Sequence, residues 1–382
     1  MKLFGGDLGD AGAGYGTFSR PIVVPAGATA SLLTPARYTM SSTLTGGGTL
    51  NLEVNYVRGT MNGNWSAFTG TINITAQTTP AEFRVANSSG YAGATLFVND
   101  NAVITQSGSG GLMEIGALGG TSGGQVGPGN STSSGRSFRI GWNNQNATFA
   151  GQILADGANT VTKVGTGNWT LTGVNTYNGG TIVDGGTLTV NNTSGSGTGS
   201  GAVTVNTSAT LAGTGIISGA VTINSGATNS PGNNAIGTLT VNNNVTLAAG
   251  STTRIEINAT SATKDLLDAS GTLTYGGTLI VTNLSGTLTE GASFKIFDGG
   301  SYGGSFSSIS LPPVAANVMW NTTALNTSGT ISVVSTNFTI PQSLIWTGDG
   351  TANLWNTTTS NWLSAGLPRA FANGDTVIFT NT

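Results

Sequence analysis

Charged side chains gather between Arg254 and Asp268, where Lys264, Asp265 and Asp268 follow Arg254 and Glu256. Carboxylates grouped with basic residues on one outer face can cleave polysaccharides, provided that one carboxyl has a raised pKa and its partner an ordinary one at a fixed separation. With only 15 acidic residues in a chain of 382, several converging on one face would be conspicuous. These five read instead as solvated charges. The chain contains no histidine and no cysteine. That removes Ser-His-Asp and Cys-His catalysis, imidazole metal sites, thiolate chemistry and disulfides together. Asp7 and Asp10 lie among glycines, but neither a calcium-binding loop nor a Gly-Gly-x-Gly-x-Asp repeat accompanies them. Asp184, Asp349 and Asp375 each adjoin glycine, as turn residues do. No catalytic residue, metal or cofactor is expected.

What remains is stacking chemistry. Trp65, Trp142, Trp169, Trp320, Trp346, Trp355 and Trp362 could each lie against a sugar. Core packing or capping is the expected role for most, because a buried indole contributes a large apolar area. Carbohydrate binding stays open for any that are exposed side by side.

The elements that would position these groups announce themselves by repetition. Gly201-Ala-Val-Thr-Val-Asn206, Gly219-Ala-Val-Thr-Ile-Asn224 and Gly237-Thr-Leu-Thr-Val-Asn242 are one hexad written three times, 18 residues apart. Ala209-Thr210-Leu211, Ala227-Thr228 and Val245-Thr246-Leu247 keep the same offset. A unit this short cannot bury its own apolar face, so copies must stack. Val203/Val205, Val221/Ile223 and Leu239/Val241 alternate with Thr at period two, which places the aliphatic side chains on one face of a strand. Stacking in phase predicts a parallel β-helix with rungs of about 18 to 25 residues, about 4.8 Å apart. Val203, Val221 and Leu239 are then expected as vertical neighbours, and Asn206, Asn224 and Asn242 as a column at one corner, each amide bonding the next. Asn229 stands where Leu211 and Leu247 stand in the other copies, so one side of the middle rung is expected to be a loop.

The same alternation extends along most of the chain. Residues 1–20 are glycine-rich without alternation and read as an irregular end or cap. Residues 21–336 read as one continuous solenoid, through Thr49 to Val54, Thr71 to Ile74, Arg254 to Ile257, Gly277 to Val281 and Gly329 to Val333. Gly/Ser-rich stretches at 107–136 and 194–201 read as loops, and Ala262 to Ala269 could form a short helical turn. From 337 to 382 tryptophans crowd together, as at the start of a further, truncated unit. With 61 glycines, 7% charged residues and 37% hydrophobic residues rich in β-branched types, the whole is expected to be all-β.

One stretch resembles a known family. Lys163-Val-Gly-Thr-Gly-Asn-Trp-Thr-Leu-Thr-Gly-Val-Asn-Thr-Tyr-Asn-Gly-Gly-Thr-Ile-Val-Asp-Gly-Gly-Thr-Leu-Thr-Val190 is similar to the autotransporter-associated β-strand repeat of secreted bacterial passenger proteins. Glu114 to Gly119, Phe149 to Ile153, Leu211 to Gly215 and Ser230 to Gly232 look like the usual surroundings of that repeat. The resemblance implies a right-handed parallel β-helix displayed outside a bacterial cell as a stalk, adhesin or surface-layer element. Met1-Lys-Leu-Phe-Gly-Gly is not a complete signal peptide and no membrane barrel is legible, so these parts are expected beyond the ends of this chain, or export by another route.

The expected function is therefore that of an extracellular, non-catalytic structural or adhesive solenoid. Two alternatives accompany it: a fibre subunit joined end to end through strand pairing, and a β-helix that binds or cleaves polysaccharide. Self-association and a glycan or matrix ligand are the partners to consider. A net charge of −3 without a basic cluster gives nothing with which to neutralise phosphates, so nucleic acid is not an expected partner. No apolar run approaches the roughly 18 residues of a membrane span, so this segment is not expected to insert.

Overall fold

Runs of alternating aliphatic and polar residues form short strands, and the strands stack in parallel. A computed structural model of the chain describes residues 7–8, 16–34, 38–54, 59–76, 81–86, 90–106, 111–127, 136–155, 157–336, 343–347, 361–364, 367–369, 371 and 375–378. Its chain divides into two compact units, the first comprising Met1–Gly286, Ser293–Pro312 and Thr322–Ile331. This first unit is a parallel β-solenoid. Thr29–Thr34, Thr49–Val54, Thr71–Ala76, Tyr91–Val98 and Leu112–Gly120 lie one above another, each hydrogen-bonded in parallel to the next. A second parallel sheet runs from Gly16–Phe18 through Tyr38–Met40, Gly59–Met61, Ala81–Val85, Ala102–Gln106 and Gln125–Val126 to Gln152–Ile153.

Period-two alternation sends one set of side chains inward at every level. Leu50, Ile72, Leu96 and Leu118 pair in succession, and none is more than 1% exposed. Each such residue contributes on the order of 1.5–3 kcal/mol by leaving water. The core is this set of aliphatic columns, repeated rung by rung.

Register within the hexads corrects the expectation drawn from spacing. Val203 pairs with Val221 and Val205 with Ile223, 18 residues on. Val221 then pairs with Val245 and Ile223 with Leu247, so Leu239 and Val241 do not continue that column. They belong to another side of the coil, where Val241 lies beside Ile217 and Ala269, and Leu239 beside Leu267. The second column changes step at the same place, since Thr228 pairs with Thr252. Ile216–Ile217 pairs with Thr240–Val241; Gly213 still meets Pro231 at the 18-residue step, so the next turn lengthens between Pro231 and Thr240. The third hexad resembles the first two because every side of the coil imposes the same inward-outward alternation. All six aliphatic residues, Val203, Val205, Val221, Ile223, Leu239 and Val241, are nonetheless buried.

Asn229 also departs from expectation. It lies in the strand Thr228–Pro231 between Leu211 and Thr253, and is 1% exposed. The ladder is made by backbone groups, such as Thr228 N–H to the Ala209 carbonyl at 2.9 Å, and Asn supplies these as well as Leu does.

Glycine was the other misleading signal. Inside 107–136, read as a loop, Leu112–Gly120 forms a nine-residue strand. Its glycines are there for close approach: a Cβ on Gly116 would stand 2.4 Å from the Ala94 carbonyl oxygen, and one on Gly120 2.3 Å from that of Val98. Residues 194–201 carry no strand, yet Ser196 and Thr198 are buried in that turn. Near the N-terminus, Gly16–Phe18 pairs with Tyr38–Met40 and Asp7–Leu8 with Ser31–Leu32, so strands reach into the span read as an irregular end. Ala262 to Ala269 forms no helical turn, because Thr263–Lys264 and Leu266–Tyr275 are strands. A four-residue helix, Leu325–Ser328, occurs instead, and no helix of the described residues is long and apolar enough to cross a membrane.

The second unit comprises Thr287–Ala292, Pro313–Asn321 and Ser332–Thr382. Within it Val318–Asn321 runs antiparallel to residues 332–335. Ser343–Trp346 pairs antiparallel with Trp362 and Leu363, and in parallel with Thr376–Ile378. Trp346 and Trp362 meet edge to face at 4.7 Å. Trp355 and Phe379 lie outside the described residues.

Candidate functional site

Residues 160–190 show how sequence becomes stacked turns. Val161 lies beside Thr181 and Lys163 beside Val183 on one side; Trp169 lies beside Leu188 and Leu171 beside Val190 on the next. Lys163 occupies an inward position and is 1% exposed. Its ammonium donates to the carbonyl oxygens of Val164 at 2.7 Å, Gly165 at 3.1 Å and Gly185 at 3.1 Å. Three donors meet three acceptors, so one cation ties two successive corners together. Burial pushes its pKa down to about 8. Gly165 and Gly186 turn with φ of 68° and 60°, a left-handed backbone that glycine adopts without steric cost. Trp169 Nε1 donates to the Leu118 carbonyl across the interior at 2.9 Å. The Asn175 amide accepts from Ile153 N–H at 2.7 Å and donates to the Gly197 carbonyl at 2.6 Å, bonding one coil below and one above.

Above this lies the corner ladder. Asn206 donates to Asp184 at 2.6 Å and Asn224 donates to Asn206 at 2.8 Å. Asn242 is not in it; its backbone N–H bonds the Ile217 carbonyl at 2.8 Å, on the side of the coil to which its hexad belongs. Asp184 is the member that spacing missed, because an Asp stands there instead of an Asn.

A family model described as the passenger-associated-transport-repeat matches residues 161–190, the stacked strands just described. Residues 161–190 are thus similar to a passenger-associated transport repeat. Together with the parallel solenoid, the repeat fits an autotransporter passenger built of β-repeats, a class that is exported to the cell surface or secreted. No curated protein sequence matches the chain.

Outside the passenger repeat, the charged residues between Arg254 and Asp268 are not all the solvated charges expected, because Asp265 is buried next to Glu256. Arg254 is exposed on Thr252–Asn258, beside Ile280. Lys264 lies opposite Ile257 in an antiparallel hairpin. Asp265 is buried, where its two carboxyl oxygens accept from Gly237 N–H at 2.9 Å and Glu256 N–H at 2.7 Å. Asp268 sits in register between Thr240 and Asp298, and Lys295 pairs with Asp298 at 2.7 Å. Burial first and Asp298 second hold the Asp268 carboxyl above its usual range. Lys295 and Asp298 were invisible as members of this group because only the coil brings them to Asp268.

Asp265 has a consequence for stability. Burial, reinforced by the nearby Glu256 carboxylate, raises its pKa from 3.8 to about 7, against the opposing pull of the two N–H donors. Between those values the folded chain keeps a proton that the unfolded chain releases, so this residue's contribution falls as pH rises from 4 to 7 and is flat above. The thermal midpoint is expected to be several degrees higher at pH 5 than at pH 8, and Glu256→Gln to reduce that slope. Calorimetry showing an equal or rising midpoint would refute the assignment.

Most tryptophans of the solenoid are core. Trp65 is fully buried, donates to the Ser42 carbonyl at 3.0 Å and meets Tyr91 edge on at 6.0 Å. Trp142 differs: it is 40% exposed and lines a cavity of about 580 Å³ with Asn143, Gln145, Thr69, Thr71 and Thr95. The Arg139 guanidinium covers its ring at 4.7 Å from the centroid and is itself 3.7 Å from Glu114. Asn143 donates to the Thr95 hydroxyl at 3.0 Å and accepts from Gln145 N–H at 3.1 Å. That reach past an intervening coil needs Gly116, where a Cβ would stand 2.8 Å from the Asn143 amide nitrogen.

Proposed function

We propose that this chain is a non-catalytic stalk and adhesive surface of an exported bacterial passenger, working outside the cell. The observation that carries the reading is the passenger repeat falling on one full turn and the first two strands of the next, within a longer series of parallel coils. Its buried polar groups, Lys163, Asn175 and Asp265, are bonded to backbone atoms, a use consistent with holding coils together. The test is display. The chain is joined to an export signal and an outer-membrane translocation barrel, and intact cells are treated with protease. Surface exposure of a folded, slowly digested product is expected; retention inside the envelope would overturn the reading.

Fibre assembly is the second reading, favoured by Thr376–Ile378, which stands last in its four-stranded sheet with one pairing partner among the described residues. An edge of this kind accepts a further strand. Sedimentation of purified protein separates the readings, because particles that lengthen with concentration support the fibre and a constant monomer excludes it.

A further inference from the structure

We infer that the cavity beside Trp142 is a binding site for an extended, neutral, β-linked glycan. The inference rests on the adhesive part of the reading above and names the chemistry of the ligand. Trp142 is a large aromatic left 40% exposed next to a concavity, while Trp65 and Trp169 on the same solenoid are at most 2% exposed. One face of its ring is taken by Arg139, which lies 3.7 Å from Glu114, so a ligand uses the opposite face. An indole face suits the C–H face of a pyranose. The polar partners suit its hydroxyls: the Asn143 amide is fixed in orientation by Thr95 and Gln145, and Thr69, Thr71 and Thr95 add hydroxyl groups that donate and accept.

Two further features narrow the class. No charged side chain lines the cavity among the described residues, which points away from uronic acids, sialic acids and phosphates. The lining residues come from successive coils, with Thr71 and Thr95 in register on neighbouring strands. Coils lie about 4.8 Å apart, close to the advance of one sugar in a β-1,4-linked chain, so hydroxyl partners recur in step with the glycan. A small floor completes the site: Gly47, Gly70 and Gly93 line it without side chains that would fill it.

The test titrates the full chain with the β-1,4-linked hexasaccharides of glucose and of N-acetylglucosamine, and with glucose itself, by calorimetry. At least one hexasaccharide is expected to bind, and glucose at least about tenfold more weakly. Trp142→Ala is expected to weaken hexasaccharide binding at least about tenfold, Trp142→Phe to recover part of it, and Gln145→Ala to lose severalfold. Ile182→Ser, an exposed apolar residue away from the cavity, is expected to bind as the parent does. Silence of both hexasaccharides at millimolar concentration overturns the inference, as does unchanged binding in Trp142→Ala and Gln145→Ala. Binding in solution does not depend on export, so a failure here leaves the display result standing, and failed display leaves this one.

Discussion

Val221→Asp is expected to open the solenoid around residues 203–247 and expose it to chymotrypsin at Leu211, Leu239 and Leu247, while the parent protein resists. Val221 is 2% exposed and lies between Val203 and Val245 in an aliphatic column. Its in-register neighbours are aliphatic and offer a carboxylate neither cation nor donor, and a buried, unpaired charge costs about 5 kcal/mol or more. In a stacked array that loss falls on one rung and its two interfaces. Protection of amides in Val203–Val205 and Val245–Leu247 is therefore expected to fall with that of Val221–Ile223. Thr222→Asp, one residue along on the outward side, is expected to cost less than about 1 kcal/mol. Equal protease resistance in both variants would show that Val221 does not face a closed interior.

Lys163→Met carries the second largest expected effect, about 3 kcal/mol of destabilisation in urea unfolding. The Met side chain keeps most of the apolar stem but strands the carbonyl oxygens of Val164, Gly165 and Gly185, which the ammonium joins. Leaving buried polar groups unpaired costs about 1–3 kcal/mol each, less whatever relaxation and water recover. Since Lys163 lies inside the passenger repeat, the measurement also asks what that motif is for. A variant as stable as the parent would mean that the repeat does not depend on this cation.

The sequence made the strands and the inward residues legible, because period-two alternation is a local property. All six aliphatic residues of the hexads are buried. Register was not legible beyond one step: a hexad signature reports that a strand has an inside and an outside, not which side of the coil it occupies. Leu239 and Asn242 went to a different side for that reason. Glycine misled in the same way, since Gly116 and Gly120 are required by carbonyl oxygens of the coil below, and composition cannot distinguish such packing from a loop. The Trp142 cavity is assembled from residues between Gly47 and Gln145. No local pattern joins them, although Trp142 itself was visible as a tryptophan that could meet a sugar.

Register on the outer face offers the most direct measurement, and a chain without cysteine is the right background for it. Thr222 lies beside Thr246 on the neighbouring coil, at a strand spacing of about 4.8 Å that a disulfide spans. Thr222→Cys combined with Thr246→Cys is expected to cross-link rapidly under mild oxidation, and Thr222→Cys combined with Thr240→Cys to remain reduced. The reverse outcome, cross-linking with position 240 and none with position 246, would contradict the coil as described.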